Sequence, residues 1–250
     1  AVRTLHDAIR GTDVVTTIHI ELQQMAEELF PPDESGTIIV MDPSTGAILT
    51  LVSRPTFDLT VFIEGINKEE WDTLSVKRPF INRALSACYP PASLFKLVTI
   101  AAALEEGIIT TDTAWYCRGF IQFGRVTKCN KQHGWVDVKE AIAHSCNIPF
   151  YEIAKKLHID KLAHYAHAFG LGEPTGILFP EKHGLVPTTQ WKRATLGERW
   201  WAGETLSASI GQSYSLVTPL QIARMMSGIC TGKLVRPRLL PHEPIELKPL

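Results

Sequence analysis

Ser93-Leu94-Phe95-Lys96 sets a hydroxyl and an amine three residues apart at the head of an apolar stretch. At that spacing two side chains share one face of a helix, so the amine can reach the hydroxyl. A helix N-terminus adds positive potential that favours a developing alkoxide. Burial lowers a lysine pKa toward the range in which the amine accepts a proton. Ser93 is therefore the candidate nucleophile and Lys96 its candidate base. The same spacing also arises from a capping serine beside a solvated lysine. Against that plainer reading, residues 97–104 are apolar almost all round, and a solvated lysine is not expected at the head of a buried helix.

Fifty-two residues after Ser93 comes Ser145-Cys146-Asn147, in a break between two helical patterns. Ser145 could relay a proton to a leaving amine, and the Asn147 amide could hold a substrate carbonyl. Helix capping is the alternative reading of this triplet. Cys117, Cys129, His133 and Cys146 form a further constellation. The Cys-x3-His pair has a spacing common among zinc sites, and thiolates with an imidazole suit tetrahedral zinc. Such a zinc is structural, because four protein ligands leave no open position. A Cys117–Cys129 disulfide and buried free thiols stand as alternatives. Cys88 and Cys230 lie in apolar surroundings and read as small core residues. His6, His19, His144 and the other histidines have no usable ligand spacing, and Trp191, Trp200 and Trp201 read as lining or supporting a groove.

These side chains need elements to hold them. Residues 16–29 begin extended and turn helical, with Leu22, Met25, Ala26 and Leu29 on one face, and Pro31-Pro32 ends the helix. Two β-rich runs, 37–41 and 47–52, flank Asp42-Pro43-Ser44-Thr45-Gly46 and predict a hairpin. Both runs are almost wholly apolar, which predicts central strands of a covered sheet. A helix is predicted over 93–106, closed by Gly107. Another starts near Asp137, which has capping-box spacing to Glu140. Helices follow over 150–157, 160–169 and 220–230, with 203–219 read as a loop. The pattern is a mixed α/β fold on an antiparallel sheet.

Composition narrows the classes. With 250 residues, 45% hydrophobic, the chain can bury a sizeable core. A formal net charge of −1 supplies no basic field for a phosphate backbone, so nucleic acid is not an expected partner. The run 97–104 is far short of the ~18–20 residues that span a bilayer, and residues 1–10 contain no signal-peptide core. Five cysteines are too few for a disulfide scaffold.

Taken together, the motifs resemble those of the penicillin-recognising serine enzymes, whose signatures are Ser-x-x-Lys, Ser-x-Asn/Asp and Lys-Thr/Ser-Gly. Residues 36–58 resemble the first hairpin and following loop of class B penicillin-binding proteins. Asn82-Arg83-Ala84 and Tyr89-Pro90-Pro91-Ala92-Ser93 resemble their approach to the nucleophile. Ile210-Gly211-Gln212 and Thr218-Pro219-Leu220-Gln221 resemble a later loop and helix. Trp191-Lys192 and Trp201-x-Gly203-Glu204-Thr205 are most similar to the elongation-type transpeptidases, penicillin-binding protein 2.

The resemblance implies an α+β penicillin-binding transpeptidase or serine β-lactamase-like fold, an antiparallel sheet flanked by helices. It implies a D,D-transpeptidase that crosslinks peptidoglycan stem peptides through an acyl-enzyme on Ser93, with Lys96, Ser145 and Asn147 in support. β-Lactam antibiotics would acylate Ser93 as substrate mimics. It further implies no catalytic cofactor and a structural zinc on Cys117, Cys129, His133 and Cys146. The expected setting is the periplasmic side of an inner-membrane-anchored protein of cell-shape maintenance, beside a glycosyltransferase.

There are departures. Ala92, Leu94 and Ser213 replace the usual glycine, threonine and glycine, and no Lys-Thr-Gly or Lys-Ser-Gly occurs; Thr231-Gly232-Lys233 has the wrong order. The expectation is a transpeptidase domain over 1–250 that stops before the third motif and its strands, with anchor and pedestal lying outside it. Pro91-Ala92-Ser93-Leu94-Phe95-Lys96 also resembles class D β-lactamases and the related β-lactam sensors, whose second motif is Ser-x-Val. A non-catalytic scaffold of the elongation complex is the remaining alternative.

Overall fold

The computed structural model describes residues 9–250; residues 1–8, with His6 and most of the 1–10 stretch, lie outside the described residues. Helix α1 (Ile20–Leu29) precedes the hairpin β1 (Gly36–Met41) and β2 (Ile48–Arg54). Short helices α2 (Val61–Glu64), α3 (Lys68–Lys77) and α4 (Arg83–Ser86) lead to a 3-10 turn, Ala92–Phe95, that runs into α5 (Lys96–Glu105). Four short strands follow: β3 (Ala114–Cys117), β4 (Phe120–Phe123), β5 (Arg125–Lys128) and β6 (Gly134–Asp137). Then come α6 (Val138–Ala143), α7 (Ile148–Ala154), α8 (Ile159–Ala168), α9 (Thr189–Leu196), α10 (Ala202–Ala208) and α11 (Pro219–Thr231). Strands β7 (Lys233–Val235) and β8 (Leu247–Pro249) close the chain. Among the described residues no helix is long and apolar enough to cross a membrane.

The expected antiparallel pairing is present, but as four two-stranded units, β1–β2, β3–β6, β4–β5 and β7–β8. The hairpin is not a pair of central strands among the described residues. Ile48, Thr50 and Val52 of β2 are buried, whereas β1 is half-buried with Val40 exposed. The β2 edge is closed by α1 rather than by a strand. The Gln23 amide donates to Leu51 O (3.2 Å) and accepts from Leu51 N (2.8 Å), and His19 N donates to Leu49 O (2.9 Å). This satisfies backbone groups that an open edge would leave unpaired. The hairpin turn needs its glycine: Gly46 has φ +73°, and a Cβ there would sit 2.1 Å from Arg236 O.

Two cores divide the apolar residues. The larger gathers Phe95, Val98, Phe150, Leu162 and Met225; the smaller joins Ile48, Leu85, Ile177, Leu220 and Leu239 under the hairpin. Helix α11 contributes Leu220 to one and Met225 to the other, and so ties the two together.

Several expectations change. In α1 the inward residues are Leu22, Gln23 and Ala26, while Met25 and Leu29 are exposed, because the helix packs on a strand edge through a polar side chain. The helix expected from Ser93 starts as a 3-10 turn, since Ala92 at φ +49° precedes it and breaks the α-helical run. Residues 203–219 are not all loop: α10 forms because Glu204 accepts from Trp201 N (2.8 Å) and Leu206 and Ala208 are buried. The segment between α5 and Gly134, for which the sequence predicts no element, folds into β3, β4 and β5. Cys230 is exposed and Cys88 half-buried, so neither is a core residue, α11 turning Cys230 outward. The Asp137–Glu140 capping box forms as expected.

Candidate active site and metal centre

The turn that carries Ser93 is held from outside its own helix. Ala92 N donates to Gly211 O (2.9 Å), and a Cβ on Gly211 would lie 2.1 Å from Ala92 O. Only glycine permits that approach. Two hydrogen bonds of 2.9 Å between Tyr89 and Val217 fix the preceding residues. Ser93 is thereby displayed on an exposed turn, while Lys96 behind it is 2% exposed.

The second motif meets it. Helix α6 ends at His144, and Ser145 adopts φ +51°, a conformation non-glycine residues rarely take. Cys146 N donates to Ala141 O (2.9 Å), which turns the chain back before α7 starts at Ile148. Ser145 Oγ lies 2.8 Å from Ser93 Oγ. Lys96 Nζ donates to Ser145 O (2.8 Å), Ser145 Oγ (2.9 Å) and Asn147 Oδ1 (2.7 Å). The Phe150 ring lies 5.1 Å from the same nitrogen. Burial holds the Lys96 pKa below the ordinary lysine value, although charge on Cys129 and Cys146 would oppose the shift.

The structure thus brings Ser93, Lys96, Ser145 and Asn147 into one hydrogen-bonded group, with a different wiring from the simplest expectation. No hydrogen bond joins Lys96 directly to Ser93; Ser145 Oγ stands between them. Two acceptors of Lys96, Ser145 O and Asn147 Oδ1, can only accept. A neutral amine has two hydrogens for those and turns its lone pair to Ser145 Oγ. The hydroxyl of Ser145 can then donate to Lys96 and accept from Ser93.

Cys117, Cys129, His133 and Cys146 also converge, their ligand atoms all within 4.8 Å of one another. Cys117 Sγ lies 3.4 Å and Cys129 Sγ 3.7 Å from His133 Nδ1, and the sulfurs of Cys129 and Cys146 are 3.9 Å apart. Tetrahedral zinc with Zn–S ~2.3 Å and Zn–N ~2.0–2.1 Å spaces its ligands about 3.6–3.8 Å apart. The donor set and its spacing therefore fit zinc. The three cysteines are unlinked, so the Cys117–Cys129 disulfide does not form here. Burial lowers the His133 pKa and favours the neutral ligand form. Burial raises Cys146; at Cys129 it is outweighed by hydrogen bonds led by Asn147 N, which leave that thiol below its usual value. Asn147 N donates to Cys129 Sγ at 3.2 Å, so the cluster touches the loop of Ser145 and Asn147 directly.

Sequence reasoning missed two contributors. Gly211 was noted only as part of a family pattern, and nothing local announces its backbone partner at Ala92. Lys192 is 1% exposed and paired with Glu204; both stand in the sequence only within the family-like patterns Trp191-Lys192 and Trp201-x-Gly203-Glu204-Thr205, and nothing local announces that they pair. Trp191 and Trp200 pack around Tyr214 (5.2 and 6.1 Å), while Trp201 is half-exposed under Arg199 (3.7 Å).

Comparison with known proteins agrees with this geometry. Residues 36–246 match the family described as penicillin binding protein transpeptidase domain. The chain is 34% identical over 250 residues to peptidoglycan D,D-transpeptidase MrdA of Haemophilus influenzae, covering 96% of this chain and 38% of that one. It superimposes on penicillin-binding protein PBP2 of Helicobacter pylori with TM-score 0.89 and 34% identity, covering 94% of this chain and 46% of the other. In the complex of PBP2 with MreC from Helicobacter pylori the match has TM-score 0.91 and 32% identity, covering 99% and 48%. The chain spans well under half the length of the curated relative it matches.

Proposed function

The chain belongs to the penicillin-binding protein transpeptidase family, in its class B PBP2 branch, and from that premise we propose that it is the acylating part of a peptidoglycan D,D-transpeptidase. The observation that carries the reading is the continuous hydrogen-bonded path Ser93 Oγ–Ser145 Oγ–Lys96 Nζ, closed by Asn147. Ser93 Oγ attacks the carbonyl of the penultimate D-alanine of a stem peptide. Its proton passes to Ser145 Oγ as the proton of Ser145 passes to Lys96 Nζ. Lys96 then returns its proton to Ser145 Oγ as the Ser145 hydroxyl protonates the departing D-alanine nitrogen; the C–N bond breaks and the acyl ester stays on Ser93. The amine of a neighbouring stem then attacks that ester, forms the crosslink and restores the Ser93 hydroxyl.

Asn147 orients Lys96 through Oδ1. A valine at this place, as in class D β-lactamases, could not accept that bond, which speaks for the transpeptidase over the hydrolase. A polar group assembled around an exposed serine speaks against a purely structural scaffold. β-Lactams acylate Ser93 in place of the stem. Cys117, Cys129, His133 and Cys146 would hold a structural zinc, which would cross-link the β3–β6 pair to the loop of Ser145 and Asn147. The protein works on the periplasmic side of the inner membrane, tethered there, with a glycosyltransferase and other elongation proteins as partners; the MreC complex of a PBP2 relative supports that setting.

Intact mass spectrometry of the full-length gene product with benzylpenicillin tests the reading. A lasting adduct of one whole penicillin, absent in Ser93→Ala, is expected. An adduct that clears within seconds indicates a β-lactamase instead, and no adduct at all overturns the assignment.

A further inference from the structure

Helix α9 lies on the surface, yet one of its residues, Lys192, is its only buried side chain. The Lys192 ammonium donates to Glu204 Oε1 and lies 3.3 Å from Glu198 Oε2. The rings of Trp200 and Tyr214 stand 5.8 and 5.6 Å from it. Glu204 Oε1 also accepts from the Tyr214 hydroxyl (3.1 Å), and its Oε2 accepts from Trp201 N (2.8 Å). One carboxylate thus joins α9, the start of α10 and the segment that follows α10.

That following segment is the wall behind the nucleophile. Ser209 O accepts from Thr99 Oγ1 (2.8 Å), Gly211 O from Ala92 N (2.9 Å), and Val217 exchanges two bonds of 2.9 Å with Tyr89. Between the anchors at Gly211 and Val217 the backbone bulges, with Ser213 at φ +74°. Tyr214 sits in this bulge, and its ring and hydroxyl are held by Trp191, Trp200 and Glu204. The residues held by the two anchors, Tyr89 and Ala92, immediately precede Ser93.

We infer that Lys192, Glu204 and Tyr214 are positioning residues for acylation: they brace residues 209–217, which in turn hold the strained turn at Ala92 and fix where Ser93 Oγ points. The inference rests on the acyl-transfer reading for its consequence in rate, and on geometry alone for its consequence in the loop. An ion pair bonded to a tyrosine hydroxyl sets direction as well as distance, which apolar packing of α9 on α10 would not do. A displacement of about 1 Å at a reacting atom can change a rate by about a hundredfold, so a small slackening at Ala92 is measurable.

The test uses the full-length gene product with Tyr214→Phe, which removes one hydroxyl and keeps the ring, together with Lys192→Met and Lys192→Arg. Hydrogen–deuterium exchange is followed over 89–92 and 209–217, and single-turnover acylation by a fluorescent penicillin is separated into binding and chemical steps. In Tyr214→Phe, exchange is expected to quicken in both segments, and the chemical step to slow about tenfold while binding changes less than twofold. Lys192→Met should lose more, and Lys192→Arg should recover most of the rate. A lowered melting temperature with unchanged exchange at 89–92 and unchanged acylation would overturn the inference, leaving the network as a tie between α9 and α10. If the wild type is never acylated but exchange still quickens at 89–92, the bracing stands and the acyl-transfer reading is what fails.

Discussion

In the proposed mechanism Lys96 takes the proton of acylation, and its burial has a direct pH consequence. Because the pKa is held below the ordinary value of about 10.4, the neutral amine becomes available at lower pH than for a free lysine. Acylation by benzylpenicillin should therefore rise with pH and level off below the ordinary lysine range. A pH–rate profile that keeps rising as for a solvated lysine would contradict this. The linkage has the same sign in stability: with the folded pKa lowered, the unfolded chain binds more protons, so stability gains as pH rises between the two values. Gly211 is the second decisive residue. Gly211→Ala puts a Cβ against Ala92 O at positive φ, and should lower unfolding free energy by about 1–3 kcal/mol and slow acylation. Urea unfolding and acylation kinetics check the two effects separately.

At the scale of elements, the loop that carries Ser145 and Asn147 is a junction between α6 and α7, which pack against the short strands β6, β3 and β4. Cys117 ends β3, Cys129 follows β5 and His133 precedes β6, so zinc on these and Cys146 would fasten strands and loop together. Native mass spectrometry should find one zinc per chain, lost in Cys146→Ser and on chelation. At a thousandfold excess of metal over Kd its loss costs about 4 kcal/mol of stability, read as a drop in melting temperature. Unchanged melting with and without chelator would exclude a structural role. The hairpin depends on α1 in a comparable way. Gln23→Ala removes two hydrogen bonds to Leu51, and about 1–3 kcal/mol of stability should go with them.

On the scale of the whole molecule, the two cores share α11. Met225 is fully buried in the larger and Leu220 in the smaller. Met225→Ala should cost about 2–5 kcal/mol, and fluorescence and circular dichroism should still report one unfolding transition, since α11 cannot leave one core without disturbing the other. Ser93 belongs to the 3-10 turn that feeds Phe95 into the larger core, while its backbone neighbours pair with residues 211 and 217. Ser93 is thus set by both local helix entry and distant chain.

Much of this was written locally. The hairpin at residues 42–46, the capping box at Asp137 and Glu140, the helix stop at Gly107, and the motifs at Ser93 and Ser145 all depend on neighbours a few residues away, which sequence displays directly. Ligand chemistry was legible for a similar reason: cysteine and histidine spacing limits what a loop can hold. Tertiary structure alone decided what depends on partners distant in the chain. The strands β3 to β6 carry no strong alternation and form only where β3 finds β6, β4 finds β5, and α7 packs on β3 and β4. The closing of the β2 edge by Gln23, the approach of Gly211 to Ala92, and the placing of Ser145 between Ser93 and Lys96 each join segments whose separation along the chain has no trace in composition or periodicity. Hydrogen bonds and close packing act through space, and only the folded chain brings their partners within reach.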